Sequence, residues 1–334
     1  MPLVTIGLPT YNARDTVVAA IRSVFAQSLW DWELLMVDDG STDGSGELLE
    51  SIRDPRVRFI SGEQNLGLAS RLNQIASLAR GQYLARMDAD DIQHPMRLQQ
   101  QLQYLETHRD CAVLGTAIAS IDPESRLQGW RPGGPSARCR RDTLRSAPMN
   151  HGTIIGRTTW FHENPYDTQY RRAQDLDLWC RTYDSAIFAN LPDILYFVRE
   201  GGSGHAAQHL DSGRNKRRII RKYSTEIGSH HAILLLSESL LRDLAHCALS
   251  SIGLARVIMR QRNRRLTPAE EISLKEVLSL VEVTPVPGFL GGSDRHHPQS
   301  RPGRKDRDRE DHPDADNDNG HLSASVRNNK ANVK

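Results

Sequence analysis

The chain has 334 residues and a formal net charge of +2 at pH 7, from 43 Lys and Arg against 41 Asp and Glu. This balance excludes an overall electrostatic attraction to nucleic acid, so partners have to be inferred from local sites. The length suits one large α/β domain with an appendage, or two smaller domains, and we favour the first arrangement.

Cysteine usage and the start of the chain both favour a cytoplasmic protein. The cysteines are scattered, without the close pairs of a zinc site or the density of a disulfide scaffold. Residues 3–9 alternate like a first strand and lack the basic and long apolar regions of a signal peptide. The most apolar long stretch, residues 231–259, carries charges that are costly in a membrane span.

Strands and helices alternate over the first part of the chain. Strands are predicted at 3–9, 32–37, 57–60 and 81–87, with helices at 17–25, around 48–52 and at 66–79. This alternation predicts a mainly parallel sheet with helices on both faces. Right-handed crossovers then place the carboxyl ends of the strands at one edge, where ligands of open α/β sheets bind.

Beyond residue 91 the alternation continues and then breaks down. The predicted elements are a helix from Pro95, strands at 112–121, 153–156, 186–190 and 194–198, and a helix from Gln174. Residues 123–148 are rich in Gly, Pro and Arg, which favours a mobile loop.

The C-terminal part divides into a helical region and a polar tail. Residues 205 to about 283 are predicted to be helical, with a basic run at 214–222 before an apolar-faced helix. Such a pair could rest on an anionic membrane surface, or its helices could pack on the preceding domain with solvated arginines. Residues 285–334 contain hardly any apolar side chain, which predicts disorder.

Carboxylates follow the fourth predicted strand directly. Asp88, Asp90 and Asp91 end an apolar run, without the glycine and distal glutamate of a calcium-binding EF-hand loop. Carboxylates that share a cation with ligand phosphates suit Mg²⁺ or Mn²⁺. A divalent site beside a diphosphate and a merely solvated acidic turn are equally open from this triplet alone.

Two further polar groups are predicted at the same sheet edge. Thr10 and Tyr11 follow the first strand, and Asp38 and Asp39 follow the second. Tyr11 could stack on a nucleoside base or be an aromatic at the edge of the core. The two aspartates could accept a hydrogen bond from a base or could only cap a helix.

Several motifs in order resemble glycosyltransferase family 2 on a GT-A fold. They are Pro9-Thr10-Tyr11-Asn12, Val37-Asp38-Asp39-Gly40-Ser41-Thr42-Asp43, Asn65-Leu66-Gly67-Leu68-Ala69, Met87-Asp88-Ala89-Asp90-Asp91 and Gln174-Asp175-Leu176-Asp177-Leu178-Trp179. The resemblance spans residues 3–204. It implies a catalytic domain at 1–204, with a nucleotide-sugar donor half at 1–106 and an acceptor half at 107–204. A helical extension at 205–284 and a disordered tail at 285–334 would follow.

The resemblance also implies roles for individual residues. Thr10, Tyr11, Asp38 and Asp39 would hold the nucleoside of a UDP-linked sugar. Asp88 and Asp90 would contact the ribose and a Mn²⁺ or Mg²⁺ ion on the diphosphate. Asp175 matches the catalytic base of an inverting transfer to a glycan or polyprenyl-linked hydroxyl. A helix-terminal Asp stabilised by the helix dipole is the structural alternative for Asp175, and Asp177 is expected to be structural.

This sequence departs from the family pattern at two places. Gln174 stands where the family usually has Glu, and Glu200 follows Arg199 where the family often has His. His205 could replace that histidine as a metal or diphosphate contact. His151 and Asp91 are weaker candidates for the acceptor side or a nearby loop.

Two other functions are compatible with a nucleotide-binding α/β sheet. A sugar-nucleotide nucleotidyltransferase would need a Gly-rich loop after the first strand, and Pro9-Thr10-Tyr11-Asn12-Ala13-Arg14 has no glycine. A non-catalytic nucleotide-sugar-binding protein is disfavoured by the intact Asp88, Asp90 and Asp175. The expected function is a metal-dependent inverting transfer in cell-surface polysaccharide synthesis.

Overall fold

The structure is a computed structural model that describes residues 1–135, 137, 139–200, 205–251 and 262–289, without the side chains of 205–209 and 250–251. Residues 1–291 belong to one compact unit. The predicted domain boundary at 204 stays a prediction. Most of the predicted tail, residues 290–334, lies outside the described residues.

Within the described ranges, nine strands form one mixed sheet. They are β1 (Val4–Thr10), β2 (Trp32–Asp38), β3 (Val57–Ile60), β4 (Tyr83–Arg86), β5 (Ile92–Gln93), β6 (Cys111–Ile121), β7 (Leu127–Arg131), β8 (Ile155–Arg157) and β9 (Ile187–Arg199). The strand order is β3-β2-β1-β4-β8-β6-β9-β5, with β7 paired to β6. The first four strands of this order run parallel, as predicted, and β8 lies antiparallel between β4 and β6.

Helices cover both faces of the sheet and form the C-terminal segment. They are α1 (Val17–Phe25), α2 (Ser45–Glu50), α3 (Leu68–Leu78), α4 (Arg97–Thr107), α5 (Arg140–Arg145), α6 (Thr158–Glu163), α7 (Gln174–Thr182), α8 (His205–Lys222), α9 (Ser224–Ile227), α10 (Ser229–Ser251) and α11 (Pro268–Val283). A short 3₁₀ turn spans His151–Thr153.

The core is built on β1 and β2, which are buried at every position. Side chains alternate between the faces of the sheet, so Leu34 joins the cluster under α1 while Leu35 joins the one under α3. A strand covered on both faces reads as a continuous apolar run. This packing fixes the carboxyl ends of β1, β2 and β4 at one edge.

The predicted mobile loop at 123–148 is wrong in part. It contains β7, which pairs antiparallel with β6, and α5, whose Leu144 is fully buried. Neither element has strong local periodicity, so both depend on partners distant in sequence. The two strands predicted at 186–190 and 194–198 are one strand, β9, whose register against β6 shifts around Pro192.

The C-terminal helices pack on the rest of the chain. Ile219 of α8 and Leu235 of α10 join Leu144 and Leu176 in one buried cluster. Leu274 of α11 packs in another cluster with Phe197 of β9. Among the described residues, no helix combines the length and the apolar character needed to cross a membrane.

Candidate active site

A cleft of about 620 Å³ at the carboxyl edge of the sheet brings together residues that are distant in sequence. Its walls come from the end of β1, the loop after β2, the start of α3, the 3₁₀ turn and the start of α7. The predicted site residues that line it are Thr10, Tyr11, Asp39, His151 and Asp175.

Thr10 and Tyr11 leave β1 at the floor of the cleft. Thr10 is 1% exposed, and within the described residues its Oγ1 is a buried polar atom without a hydrogen-bond partner. Such an atom is normally satisfied by a partner, and a bound ligand could provide one. The Tyr11 side chain is 51% exposed and is therefore free to stack on a planar ligand.

Asp38 and Asp39 are both buried, but they face different partners. Asp38 accepts from the N–H groups of Gly40 and Ser41 at 3.1 and 2.9 Å and from the Ser41 hydroxyl at 2.5 Å. Gly40 has φ +75°, which the tight turn requires. The Asp38 carboxylate therefore shapes its own loop, and Asp38 is not among the residues that line the cleft.

Asp39 joins the loop after β2 to the start of α3. Its carboxylate accepts from the N–H groups of Leu66 and Gly67 at 2.7 and 3.0 Å and from Arg71 Nε at 2.7 Å. Both side chains of the Asp39–Arg71 pair are almost fully buried. These bonds tie the loop after β2 to the start of α3 in the wall of the cleft.

Asp88, Asp90 and Asp91 converge after β4, with one carboxylate oxygen of each within 4.8 Å of the others. The carboxylates of Asp88 and Asp91 also bond to other groups of the protein. Asp88 forms a two-point salt bridge with Arg86, and Asp91 accepts from the backbone N–H of Arg199 at 2.9 Å. Asp91 is buried and ties β9 to this loop, whereas Asp90 is exposed.

Proton affinity in this cluster is high. The surrounding protein limits hydration of the Asp90 carboxylate, and the Asp88 charge adds to the effect, so the pKa of Asp90 rises to about 6. Burial, with the charges of Asp90 and Asp88, raises the pKa of Asp91 well above its ordinary value. The cluster offers three carboxylate oxygen donors, and the nearby arginines do not fully balance its negative charge. Such a set of hard donors fits a Mg²⁺ or Mn²⁺ ion.

Asp175 lies in the first turn of α7 and lines the same cleft. Burial raises the pKa of its carboxyl group, while the N–H groups of Leu176 and Asp175 and the charge of Arg86 act to lower it. The Asp88 charge also acts on Asp175.

His151 lies in the 3₁₀ turn beside Asp175 in the cleft wall. Its Nε2 is 2.8 Å from the Tyr166 hydroxyl, and its ring packs edge-on to Trp179. Burial and the nearby Arg86 charge lower the pKa of His151 well below its ordinary value. This lowered pKa favours the neutral imidazole, which supports the wall through its contact with Tyr166.

The family model for glycosyl transferase family 2 matches residues 5–165. The putative glycosyltransferase EpsE of Bacillus subtilis (strain 168) is 35% identical over 208 residues, covering 60% of this chain and 73% of that protein. The chain belongs to glycosyltransferase family 2.

Solved structures support the GT-A fold of this family 2 enzyme. Residues 1–349 of S. aureus TarS, in complex with UDP-GlcNAc, match with a TM-score of 0.56 and 18% identity, over 85% of this chain and 82% of that one. The mannosyltransferase PcManGT from Pyrobaculum calidifontis, in complex with GDP-Man and Mn²⁺, matches with a TM-score of 0.52 and 14% identity, over 84% and 85%.

Arg86 is the main residue of this family 2 site that the sequence analysis missed. Its guanidinium is buried, with Nη2 2.5 Å from Asp88 Oδ1. Burial is the largest influence on the pKa of Arg86 and acts to lower it, but the charge of Asp88 together with the smaller effects of Tyr166, Tyr196 and Asp175 leaves that pKa raised. A charged residue inside the apolar β4 run, two positions before Asp88, was the available signal.

Arg199 is a second residue that the sequence analysis gave no role. From the end of β9 its side chain donates to the backbone carbonyls of Asp90, Asp122 and Pro123 at 2.9, 3.1 and 2.7 Å. Arg199 therefore attaches the loop that contains Asp88, Asp90 and Asp91 to the end of β9. The signal was an arginine at the end of a strand.

The structure shows the surroundings of Glu200, which stands where the family 2 pattern often has His, and of two other residues considered in the sequence. Glu200 pairs with Arg131 of β7 at 2.7 Å and accepts from the Ser120 hydroxyl at 2.6 Å, so it fastens the sheet edge. His205 begins α8, and its side chain lies outside the described part of the chain. Asp177 is fully buried and pairs with Lys222 of α8 at 2.7 Å.

Proposed function

We propose that this protein is a metal-dependent, inverting glycosyltransferase. It moves a sugar from a nucleotide-diphospho-sugar, with UDP as the expected nucleotide, to a hydroxyl group of a glycan or lipid-linked acceptor in cell-surface polysaccharide synthesis. The observation that carries the proposal is the shared cleft, which joins Tyr11 and Asp39 to Asp175. The convergence of the Asp88, Asp90 and Asp91 carboxylates after β4 supports it further.

The donor is assigned to the wall formed by β1, β2 and α3. Tyr11 stacks on the base, and the buried hydroxyl of Thr10 gains a partner when the nucleoside binds. Asp39 lines the cleft and Asp38 does not, so the direct contact with the nucleoside is assigned to Asp39. Asp38 orders the loop that carries Asp39. Asp88, which Arg86 orients, would contact the ribose and the metal ion on the diphosphate.

Asp175 is the proposed catalytic base. It takes the proton of the acceptor hydroxyl as that oxygen bonds to the anomeric carbon. The bond from this carbon to the diphosphate oxygen breaks on the opposite face, so the configuration inverts and a nucleoside diphosphate leaves. The raised pKa of Asp175 makes its carboxylate a stronger base than a fully hydrated one.

Asp90 and Asp88 are the proposed ligands of Mn²⁺ or Mg²⁺, and Asp91 orders their loop. When bound, such an ion supplies positive charge at the departing diphosphate. The complex of the fold neighbour PcManGT with Mn²⁺ supports this choice of metal. His151 supports the acceptor wall, and His205 remains a proposed contact near the diphosphate.

The direct experiment incubates the full chain with a panel of nucleotide sugars, Mn²⁺ and glycan or polyprenyl-linked acceptors, and measures free nucleoside diphosphate. Acceptor-dependent release that Asp175→Asn abolishes supports the proposal. Donor binding without turnover would favour a non-catalytic protein. Pyrophosphate release from a nucleoside triphosphate and a sugar phosphate would favour a nucleotidyltransferase.

We further propose that the protein is cytoplasmic and binds the inner face of the membrane through residues 205–284. The outer side of α10 exposes Ile233, Leu234, Leu241 and Leu244, each at 59–66%. The adjacent α8 carries exposed arginines, among them Arg214, which suit anionic headgroups. Both features match an interfacial helix pair.

Co-sedimentation of the full chain with anionic and zwitterionic vesicles tests this attachment. The double variant Leu234→Glu/Leu241→Glu is expected to lose binding to anionic vesicles. Trp30→Glu/Ile187→Glu is the matched control, because both residues lie outside 205–284 and are 72% and 53% exposed. Equal sedimentation of wild type and double variant would contradict the proposal.

A further inference from the structure

Arg171 and Arg172 are placed at the mouth of the cleft by the chain on either side of them. Before them, Tyr170 is 4% exposed and packs in the cluster beneath α8 and α10. After them, Ala173 has φ +59°, a left-handed conformation that turns the chain into α7. Both arginines are exposed and line the cleft.

Neither arginine has an ion-pair or hydrogen-bond partner among the described residues. Nearby cations on α8 do: Lys222 pairs with Asp177 at 2.7 Å, and Arg218 donates to Gln169 at 2.8 Å. The packing of this region therefore uses the α8 cations and leaves Arg171 and Arg172 available. An unpaired guanidinium presents a rigid fork of donors that matches a carboxylate or a phosphate.

The remaining charges of the cleft do not neutralise this pair. Arg71 is paired with Asp39, and Asp211, which lines the mouth from α8, is paired with Arg214 at 3.1 Å. The charges that act most strongly on the Asp175 carboxylate are those of Arg86 and Asp88. Arg171 and Arg172 are thus the cations of the cleft lining that have no ion-pair partner among the described residues.

We propose that Arg171 and Arg172 bind an anionic group, a carboxylate or a phosphate, on the acceptor. This inference rests on the proposed function, in which Asp175 activates the acceptor hydroxyl. The two arginines precede Asp175 by four and three residues in the chain, so an anion held by them lies beside the reacting hydroxyl. The protein would therefore select acceptors that contain a uronic acid or a phosphate near the position of transfer.

Matched probes test the anionic preference by calorimetry on the full chain, saturated with UDP and Mn²⁺. A hyaluronan tetrasaccharide is compared with neutral chitotetraose, and citronellyl diphosphate with citronellol. At least one anionic probe is expected to bind about tenfold or more tightly than its neutral partner, as for a charge-assisted hydrogen-bond pair. Tighter binding of the hyaluronan tetrasaccharide than of chitotetraose identifies a carboxylate as the bound anion. Tighter binding of citronellyl diphosphate than of citronellol identifies a phosphate.

The double variant Arg171→Gln/Arg172→Gln is expected to remove this preference and to leave UDP affinity within about twofold. Arg109→Gln is the matched control, since Arg109 is an exposed arginine outside the cleft lining. Equal binding of the paired probes, binding of neither probe, or retention of the preference in the double variant would overturn the inference. Loss of UDP affinity in the double variant would also overturn the inference, because it would assign the two arginines to the donor nucleotide.

These results separate the inference from the proposed function. Wild-type protein that transfers sugar with no preference for anionic acceptors disproves the anion site alone. Protein that binds the anionic probes but releases no nucleoside diphosphate from any donor disproves the transferase activity alone.

Discussion

The guanidinium group of Arg86 holds the Asp88 carboxylate through two hydrogen bonds, of 2.9 and 2.5 Å. Arg86 thereby places a buried positive charge next to the acidic loop. It acts on the proton affinity of Asp90, His151 and Asp175. Its charge therefore acts on residues of both proposed halves of the site.

Replacing Arg86 with Met should strengthen Mn²⁺ binding while transfer falls. The guanidinium competes with a metal for Asp88, and removing one nearby charge changes carboxylate affinity by about tenfold. Electron paramagnetic resonance of free Mn²⁺ measures the affinity without reference to activity. Arg58→Met, which breaks the ion pair with Glu33 at 3.1 Å, is the control and should leave Mn²⁺ binding unchanged. Unchanged affinity in Arg86→Met would place Asp88 outside the metal site.

Asp175→Asn should reduce kcat by about a hundredfold to ten-thousandfold, the contribution typical of a general base, with donor Kd nearly unchanged. Asp177→Asn on the same helix should instead lower stability by about 1 to 3 kcal/mol, because it removes the partner of Lys222. Steady-state kinetics and thermal unfolding separate the two effects. Full transfer by Asp175→Asn would disprove the base assignment.

Thermal stabilisation by Mn²⁺ should be larger at pH 8 than at pH 5.5. The pKa of Asp90 is raised to about 6, so its carboxylate is charged at pH 8 and largely protonated at pH 5.5, and a metal binds the charged form. The raised pKa also means that apo protein loses stability as pH rises through about 6, and Mn²⁺ offsets this loss. Asp90→Asn should show the same small response at both pH values. Scanning calorimetry checks the prediction, which fails if the wild-type response does not depend on pH.

Tyr11→Ala should weaken donor binding by about 1 to 3 kcal/mol, the value of one base–aromatic stack. Tyr11→Phe keeps the ring and should bind like the wild type. Trp30→Ala is a control for removing an exposed aromatic, since Trp30 is 72% exposed and lies outside the cleft lining. Isothermal titration calorimetry measures the UDP affinity of the wild type and of the three variants. Equal affinity of Tyr11→Ala and wild type would leave Tyr11 without a role in base binding.

The sequence by itself determined the parallel half of the sheet and the positions of the polar clusters. The strands β1, β2 and β4 are mainly apolar because both of their faces are buried, so local composition reveals them despite the polar Thr5, Glu33 and Arg86 within them. Polar residues directly after such runs must lie at the carboxyl edge. This local signal alone is enough to place Thr10, Asp39 and Asp88 at one edge of the sheet.

Only the tertiary structure decided which partner each side chain faces. Asp38 and Asp39 are neighbours in the chain, yet Asp38 bonds its own loop and Asp39 bonds Arg71 of α3. The strand β7 and the clamp by Arg199 likewise depend on contacts between distant residues. A periodic pattern specifies the face on which a side chain lies, but its bonds depend on where the rest of the chain brings donors, acceptors and charges.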